Sequence, residues 1–374
     1  MKICHVTNVH DVTDVRILKK ECVSLAKIKS YEVHLVGPGE NDAEINGVKI
    51  HGCGLKPLSR IKRMTSYAKD VIEKAGNIDA DIYHIHDPEL LRFALKLKKN
   101  GKKIIFDSHE NIVSSIDQKA YLPFVLRKIF KAYYQYLQNM VIPRINGVVI
   151  VSPQMKRDYD KLNDCIALIP NFPLISQNIT NNKEIKIEKG RFIFAGGVSK
   201  LWSHEEIVKA FNSIDEGEFY IFGDGDKDFI EHLKALNTKN RVYFGGKVPF
   251  EKAQYEIAKS QFAIALLKPC QNSFWWEGTL GNTKLFEAME KGKPIIATKF
   301  HLWKEIVEGN GCGICIDPNS TADIKKAIKF MLNCNQDEIE EMSNNGVKAI
   351  HEKYNWNVCE QELYRFYERI LSDN

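Results

Sequence analysis

A glycine-punctuated stretch, residues 278–292 (GTLGNTKLFEAMEKG), carries residue types that suit the binding of a phosphorylated sugar. Gly278, Gly281 and Asn282 allow tight backbone turns, and Thr283 is suited to cap a following helix. Three residues are expected on the buried face of that helix: Leu285, Phe286 and Met289. Residues 279–283 are therefore predicted to form a loop at a helix N-terminus, and the residues of that loop are Thr279, Leu280, Gly281, Asn282 and Thr283.

Such a loop presents free backbone N–H groups, which attract an anion such as a diphosphate. Lys284 adds a positive charge at the start of the helix. Glu287, one turn further on, can accept hydrogen bonds from sugar hydroxyls. The alternative is an ordinary helix with a glutamate that faces solvent, and the stretch by itself leaves both interpretations open.

A second group of chemically capable residues follows predicted strands in the first half of the chain. The ends of three strands carry histidine beside a carboxylate. In an open parallel sheet, ligands bind at the carboxyl ends of strands, so these positions are candidates for a site. Each residue taken singly is also explained as a loop residue that caps a helix or binds backbone. The candidates are His10, Asp11, Asp14, Arg16, His86, Asp87, His109 and Glu110.

Strands and helices alternate along the whole chain. Short apolar runs predict strands at 3–6, 31–36, 81–85, 104–106 and 147–151, and the pattern restarts at 192–195 with further strands up to 314–316. Helical periodicity separates these runs, as at 16–27. Strand, helix, strand at this spacing is typical of parallel sheets. The predicted fold class is α/β, with two Rossmann-like, doubly wound parallel-sheet domains.

The polar, asparagine-rich segment 174–189 has no hydrophobic period and is predicted to be a linker. It separates an N-terminal domain, 1–173, from a C-terminal domain, 190–356. The amphipathic tail 357–374 is expected to cross back onto the first domain.

The start of the second domain repeats the signature of a phosphate site. Gly196 and Gly197 follow a predicted strand, and Ser203 with Glu206 has the spacing of a capping box. Asp224 and Asp226 have the spacing of a metal-binding DxD motif, but here they lie in a glycine turn. We expect no metal there.

Composition and charge limit the classes of protein to which the chain can belong. The chain has 374 residues, and its nine cysteines show no metal-ligand spacing. The absence of a signal peptide and of long apolar runs predicts a cytoplasmic protein with reduced thiols. Residues 1–171 carry 27 basic and 19 acidic residues, whereas the remainder carries 26 and 29. The first half is therefore basic and the second mildly acidic.

Much of that positive charge lies in the segment 119–145, which contains no Asp or Glu. Leu122, Leu126, Ile129, Tyr133 and Leu137 recur there at helical spacing. A basic, aromatic, amphipathic helix of this kind suits the surface of an anionic membrane, at its cytoplasmic face. A core helix with a basic outer face explains the same pattern. Nucleic acid is a poorer partner, because no known binding module is present and the second half is acidic.

The stretch 278–292 resembles the donor-site motif of retaining, nucleotide-sugar-dependent glycosyltransferases of family four, which have the GT-B architecture of two Rossmann-like domains facing a cleft. Glu287 matches the second of that motif's two glutamates, which holds the donor ribose. Thr279 stands where the first is expected, and Glu277 lies two residues earlier.

Other segments are similar to the same family. HDVTDVRILKKECVSLAK, HDPEL and FDSHE resemble its acceptor-domain loops. The resemblance implies that His109 lies near the transferred sugar, and that Asp14 and Arg16, with His86 in a later loop, shape the acceptor side. It also implies that the donor diphosphate binds at Gly196 and Gly197 and the nucleotide base at Lys247 and Val248. Relatives carry an Arg and a Lys where this chain has Gly197 and Trp202. Our hypothesis is that Lys200 substitutes for them, with Lys268 or Lys284 assisting.

The implied activity is transfer of a sugar, with retention, from a UDP- or GDP-sugar to a glycan or lipid-linked acceptor, as in bacterial surface polysaccharide synthesis. The donor is a co-substrate, and neither a cofactor nor a metal is expected. Two other classes stay open. A nucleotide-sugar epimerase would act on the donor without an acceptor, and a non-catalytic subunit would bind nucleotide and transfer nothing.

Overall fold

The computed structural model describes residues 1–98, 101–110, 112–116, 123–175 and 185–372, without the side chains of Ile112 and Ser114. The chain divides into two compact units. The first consists of Met1–Asn171 and Trp356–Asn374, and the second of Phe172–Asn355. Of the predicted linker, 176–184 lies outside the described residues, as do 119–122 of the basic segment and 373–374 of the tail.

The first unit is built on an eight-stranded sheet in the order β3-β4-β2-β1-β5-β6-β7-β8. All neighbouring strands are parallel except the edge pair β3 and β4, which is antiparallel. The central strands are buried along their length, because helices cover both faces of a parallel sheet. The strands are β1 (Lys2–Val6), β2 (Glu32–Gly37), β3 (Ala43–Ile45), β4 (Val48–Gly52), β5 (Ile82–Ile85), β6 (Lys103–Ser108), β7 (Gly147–Ile150) and β8 (Ile166–Leu168).

Helices of the first unit connect these strands, and short 3₁₀ turns occur at Pro88–Leu90, Ile142–Arg144 and Pro153–Met155. The helices are α1 (Val15–Cys22 continued by Val23–Ala26), α2 (Arg60–Lys62, Arg63–Tyr67 and Ala68–Ile78 in succession), α3 (Leu91–Leu97), α4 (Ile112–Ser115), α5 (Phe124–Val141) and α6 (Lys156–Tyr159). Among the described residues, none of the helices has the length and apolarity needed to cross a bilayer.

The second unit contains a six-stranded, wholly parallel sheet in the order β11-β10-β9-β12-β13-β14. Its strands are β9 (Glu188–Ala195), β10 (Glu218–Phe222), β11 (Val242–Gly246), β12 (Ser260–Ala265), β13 (Ile295–Thr298) and β14 (Gly313–Ile316). Strand β9 begins inside the segment predicted as linker. The α/β fold class with two parallel-sheet units is confirmed.

The helices of the second unit are α7 (His204–Asn212), α8 (Lys227–Leu236), α9 (Phe250–Lys259), α10 (Lys284–Glu290), α11 (His301–Val307), α12 (Thr321–Asn333) and α13 (Gln336–Glu352). The last helix of the chain, α14 (Trp356–Ser372), belongs to the first unit. It is held there by hydrogen bonds from Trp356 Nε1 to Ser24 Oγ and from Tyr364 to the Ser24 carbonyl.

Two predicted helix caps are wrong. Ser203 has a left-handed backbone (φ 50°) and its hydroxyl makes no capping bond, while Glu206 binds Lys268 instead. Thr283 has helical dihedrals and no capping bond either. Asn282 takes that place, since its side-chain oxygen accepts a hydrogen bond from the Lys284 N–H. Ser and Thr compete with other local arrangements, so spacing alone does not decide which residue caps a helix.

The apolar stripe predicted within 119–145 is also only partly buried. Leu137 packs into the unit, whereas Leu126, Ile129 and Tyr133 are exposed. Leu122 lies outside the described residues. Helix α5 buries a neighbouring stripe, which consists of Tyr134, Leu137, Gln138 and Val141. The helix therefore has a buried face and a separate apolar face that contacts solvent.

Candidate functional site

A cavity of about 420 Å³ lies at the carboxyl edge of the first unit's sheet. Loops that follow β1, β5 and β6 surround it, as the position of the predicted candidates requires. Its polar lining consists of His10, Arg63, His86, Asp87, Glu89, Asp107, Ser108, His109 and Glu110. The structure thus brings His10, His86 and His109 together from three strand ends.

Asp14 and His10 form a pair beside this cavity. One oxygen of Asp14 accepts hydrogen bonds from the N–H groups of Arg16 and Ile17 and so caps α1. The other lies 3.4 Å from His10 Nδ1. Burial alone would lower the pKa of His10, but Asp14 and Asp87 outweigh it and raise that pKa. The pKa of Asp14 is lowered, because the bonds from His10 and Ile17 outweigh burial.

Arg16 lies beneath the cavity, where it is almost fully buried. Its guanidinium group donates two hydrogen bonds to Asp107, Nε to Oδ2 at 3.0 Å and Nη2 to Oδ1 at 3.1 Å. A third bond reaches the Ile169 carbonyl. Burial would raise the pKa of Asp107, but Arg16 and His109 hold it well below its usual value. Arg16 therefore keeps a buried carboxylate ionised at the base of the site.

Asp107 in turn orients two histidines. Its Oδ2 lies 2.9 Å from His109 Nε2 and 3.2 Å from His86 Nδ1. The His86 ring is buried, and burial lowers its pKa. His109 retains one fifth of its exposure, and its ring centroid is 5.1 Å from that of His10. His10 and His109 are thus the imidazoles that a ligand in the cavity can reach.

A polar cluster continues below these residues. His5, Glu21, His84 and His86 each place one ligand-type atom within 4.8 Å of the others, and so do His86, Asp107 and His109. Residue types of this kind hold transition metals. His5 Nδ1 and His86 Nε2 are 2.8 Å apart, which is a hydrogen-bond separation. Burial, with Asp107 adding to it, raises the pKa of Glu21, and burial lowers the pKa of His5 and His84. These shifts favour the uncharged forms of His5, His84 and Glu21, and both carboxyl oxygens of Glu21 are buried without a hydrogen-bond partner among the described residues.

At the corresponding edge of the second unit, three glycine turns pack backbone against backbone. The N–H of Gly196 donates to the Phe222 carbonyl, that of Val198 to the Asp224 carbonyl, and that of Gly223 to the Gly246 carbonyl. A Cβ atom at Gly223 would lie 1.8 Å from the Gly196 oxygen, and one at Gly225 would lie 2.1 Å from the Val198 oxygen. The absence of side chains at these glycines is what lets the turns after β9 and β10 meet.

Lys284 and Glu287 project to the same edge from helix α10. The stem of Lys284 lies across Gly196, where an added Cβ would be 2.0 Å from the lysine Cε. Lys284, Glu287 and Ala195 line a small hollow of about 20 Å³. Leu285, Phe286 and Met289 are buried as predicted. Helix α10 thus places the stem of Lys284 against the turn that follows β9, and Glu287 beside a hollow that Ala195, the last residue of β9, also lines.

The loop before α10 is ordered by local hydrogen bonds. Gly278 has a left-handed backbone (φ 93°), and Leu280 is buried. The hydroxyl of Thr279 accepts from the Gly281 N–H, and its carbonyl accepts from Trp303 Nε1. Thr279 therefore has a structural role at the position where the family motif carries a glutamate.

The remaining candidates of the second unit occupy different surroundings. Lys268 Nζ donates to Glu206 Oε1 at 2.7 Å, and its backbone N–H donates to the Leu201 carbonyl, which places it beside Lys200. Lys247 and Val248 follow β11, directly after the turn that binds Gly223. Glu277 is half-exposed, and its carboxylate lies 3.7 Å from His301.

Local sequence patterns did not reveal Asp107, Gly223 and Gly225, which help to organise the two edges. Asp107 interrupts an apolar strand, and a charge at such a position signals a buried partner. Its partner Arg16 lies 91 residues away in the chain, so spacing did not reveal the pair. Gly223 and Gly225 were recognised as turn residues, but not as the points where two turns touch.

Comparison with known proteins identifies the family. The family model "Glycosyl transferases group 1" matches residues 176–349, and "Glycosyltransferase Family 4" matches residues 20–172. An uncharacterized glycosyltransferase of Methanocaldococcus jannaschii, MJ1069, is 26% identical over 297 residues, which is 74% of this chain and 71% of that protein.

Solved structures share the fold. Sucrose-phosphate synthase from Thermosynechococcus elongatus superposes over 100% of both chains with a TM-score of 0.74 and 13% identity. HepE from Anabaena, crystallised in complex with UDP-glucose, covers 98% of this chain and 99% of its own, with a TM-score of 0.67 and 14% identity. Both parallel-sheet units therefore have counterparts in known enzymes, and the chain belongs to the GT-B glycosyltransferases of the family 4 type.

Proposed function

We propose that this glycosyltransferase moves a sugar, with retention of configuration, from a UDP- or GDP-sugar to a glycan or lipid-linked saccharide. Its role would be in surface polysaccharide synthesis of the bacterial type, at the cytoplasmic face of the membrane. The observation that carries the proposal is the convergence of the Gly196 turn, Lys284 and Glu287 at one edge of the second unit.

These groups match the chemistry of a nucleotide-sugar donor. Lys284 and Lys200 would bind the diphosphate, because an ammonium group stabilises the negative charge that develops on the leaving phosphate. Glu287 would accept hydrogen bonds from the ribose hydroxyls, and Lys247 with Val248 would contact the base through their backbone. HepE, which was crystallised with UDP-glucose, shares this fold and supports a nucleotide-sugar donor.

Lys268 is a weaker candidate than Lys284 for the diphosphate. Its ammonium group already binds Glu206, so part of its charge is neutralised within the protein. None of the ion pairs among the described residues involves Lys284 or Lys200. We therefore assign the main electrostatic role to these two lysines, with Lys268 in support.

The cavity of the first unit would receive the acceptor and the transferred sugar. His109 and His10 are the accessible imidazoles there, and Asp107 fixes the orientation of His109 by accepting from its Nε2. Asp14 would act by holding His10 and the start of α1, and Arg16 by holding Asp107. Arg16 is thus proposed as a positioning residue, and its burial argues against direct contact with an acceptor.

Retention would follow from attack on the same face from which the phosphate departs. No covalent nucleophile is assigned. Lysines and backbone N–H groups would neutralise the leaving diphosphate, so we propose that the reaction needs neither a metal nor a cofactor. Activity that persists in excess chelator is the expected result, and loss of activity that Mg²⁺ or Mn²⁺ restores would overturn this part.

A lipid-linked acceptor would bring the enzyme to the membrane. We propose that the basic segment 119–145 contacts anionic lipid, since helix α5 exposes Leu126, Ile129 and Tyr133 beside its lysines and arginines. Flotation with anionic vesicles at low salt measures this contact directly. Absence of binding under those conditions would contradict the proposed contact with anionic lipid.

The donor is best tested by a thermal-shift screen of nucleotides and nucleotide sugars, because a specific ligand stabilises the folded state by mass action. A sugar nucleotide that raises the melting temperature is then offered with a pool of glycan and lipid-linked acceptors. Transfer with retained anomeric configuration is expected. Turnover of the donor without an acceptor would indicate an epimerase, and binding without turnover would indicate a non-catalytic subunit.

A further inference from the structure

The loop between β4 and α2, together with the first turn of α2, exposes three large aliphatic side chains to solvent. Leu55 and Ile61 are 74% and 75% exposed, and Leu58 is fully exposed. Single exposed aliphatic residues are common on protein surfaces, but three within seven residues indicate a surface that binds a partner.

The base of this loop is fixed, although its apolar tips are not covered. Gly54 exchanges two backbone hydrogen bonds with Gly39. Lys56 Nζ donates to the Val9 carbonyl, and Ser59 caps helix α2 through the Lys62 N–H. The three aliphatic side chains are therefore presented on a backbone that is held at both ends.

The segment that carries these side chains is basic in sequence. No Asp or Glu occurs between Ile45 and Lys69, whereas Arg60 and Lys62 flank Ile61 directly. Both basic side chains are exposed. Long basic side chains can keep their charge in the headgroup layer while their stems follow apolar neighbours into a bilayer. Aliphatic tips among positive charges suit an anionic lipid surface.

The loop also adjoins the exposed face of helix α5. Met64, one helical turn after Ile61, packs on the cluster of Ile116, Tyr134 and Leu137, to which Phe130 also belongs. Phe130 is one turn after Leu126, which is exposed along with Phe124, Val125 and Ile129. The start of α2 and the start of α5 thus present apolar and basic residues on neighbouring parts of the same unit.

We propose that the loop 55–61 inserts its aliphatic side chains into an anionic lipid bilayer and forms, with the exposed face of α5, one two-point membrane-docking surface. This inference rests on the membrane contact proposed above and adds the segment that enters the apolar layer. A rigid two-point contact would fix the orientation of the first unit at the membrane, which a single helix does not do.

A second copy of the chain is a poorer occupant of this surface. A symmetric dimer interface places the same patch on both partners. Arg60 and Lys62 would then face their own copies, with no carboxylate in the loop to compensate them. An anionic bilayer supplies the opposite charge and an apolar interior together.

The test is flotation of the full-length chain with vesicles of phosphatidylcholine alone and with added phosphatidylglycerol. The loop variant is Leu55→Ser, Leu58→Ser and Ile61→Ser combined, and the helix variant is Leu126→Ser with Ile129→Ser. The matched control is Phe250→Ser with Phe330→Ser, two exposed residues of the second unit. Because all of these side chains are exposed, each variant is expected to keep the melting temperature of the parent.

The parent is expected to bind anionic vesicles and to dissociate as salt is added. The loop variant should lose at least about tenfold in partition coefficient, since each buried leucine contributes strongly to transfer from water. Replacement of Arg60 and Lys62 by Gln should cost about fivefold for each charge removed. The control variant should bind as the parent does.

A loop variant that binds like the parent, while the helix variant is weakened, would overturn the inference and leave the contact through α5 standing. A parent that fails to bind any anionic vesicle would overturn both. Parent protein that forms concentration-dependent dimers abolished in the loop variant would assign the patch to a second copy instead. Donor binding, measured by thermal shift without lipid, reports separately on the transferase proposal.

Discussion

The two candidate edges of this molecule are held in place by different kinds of interaction. In the first unit, the edge is organised by buried charges: Arg16 and Asp107 pair below the cavity, and Asp107 orients His86 and His109. In the second unit, the edge is organised by backbone shape, where the turns at Gly196 and Gly223 touch and the stem of Lys284 lies across Gly196.

This difference predicts which substitutions each edge tolerates. An edge held by charges should fail when a charge is removed at constant volume. An edge held by close backbone approach should fail when volume is added without any change of charge. The predictions below apply both kinds of change, beginning with the largest expected effect.

Removing the charge of Asp107 should cause the greatest loss. Asp107→Asn keeps the size of the side chain but removes the carboxylate that accepts two hydrogen bonds from the buried guanidinium of Arg16, which then keeps only Glu21, 3.1 Å from its Nε, as an acidic neighbour. Loss of one partner of a buried pair costs about 3–5 kcal/mol in the free energy of unfolding. Urea denaturation measures that difference. The control, Asp79→Asn, removes an exposed carboxylate that pairs with Lys102 and should leave stability unchanged. Equal stability of both variants would contradict a charge-built edge.

Adding a methyl group at Gly223 should damage the second edge. The Cβ of Gly223→Ala would meet the Gly196 carbonyl oxygen at 1.8 Å, so one of the two turns must move. We expect a loss of about 1–3 kcal/mol in the free energy of unfolding, together with weaker donor binding. Gly197→Ala is the matched control for the stability measurement alone, because the nearest atom to its Cβ would be the Asp224 oxygen at 4.0 Å. If both substitutions were equally tolerated, close packing would not hold these turns.

The lysines of the second edge should differ in their effect on donor affinity. Lys284→Met keeps the stem that covers Gly196 and removes only the charge, so it should raise the Kd for the donor at least about tenfold. Lys268→Met should change the Kd by less than about threefold, because Lys268 already pairs with Glu206. Calorimetry on the two variants measures the difference, and a reversed order would reassign the phosphate contact.

The smallest effect concerns His10. Its pKa in the folded state lies above the ordinary value of 6.5, so the protonated ring stabilises the fold fully below pH 6.5. That stabilisation disappears as the pH rises through the raised pKa. At the acid side, Asp14 has a lowered pKa, and its contribution is lost as the pH falls below 3.8.

His10→Gln should therefore destabilise the protein near about pH 5.5 and match the parent near about pH 8.5. Thermal melting at the two pH values gives the comparison. Asp14→Asn should lose at high pH only the part of its deficit that comes from protonated His10, because the hydrogen bonds of Asp14 to the start of α1 do not depend on that proton. If the melting temperature of His10→Gln were lower than that of the parent by the same amount from pH 5.5 to 8.5, the ring would act through packing rather than charge.

Local sequence patterns predicted the strands, the two parallel-sheet units and the buried face of α10, because periodicity and glycine placement are local properties. They also placed His10, His86 and His109 at strand ends that the parallel sheet then brought together. Patterns of this kind carry information about which edge a residue reaches, but not about its partner there.

The features that local patterns missed depend on distant contacts. Arg16 is predicted to be an accessible acceptor-side residue from its loop, but its partner Asp107 draws it below the surface. Thr283 and Asn282 are both acceptable caps by type, and only the path of the loop selects Asn282. The exposure of Leu58 likewise depends on the path of the chain between β4 and α2, which local patterns do not give.

Hydrogen–deuterium exchange with and without a bound nucleotide sugar tests the central claim most directly. The account predicts slower exchange in the second unit at 196–202 and 282–287, and loss of that protection in Lys284→Met. Protection that appears only in the first unit, or that is unchanged in Lys284→Met, would contradict a donor site formed by the Gly196 turn and helix α10.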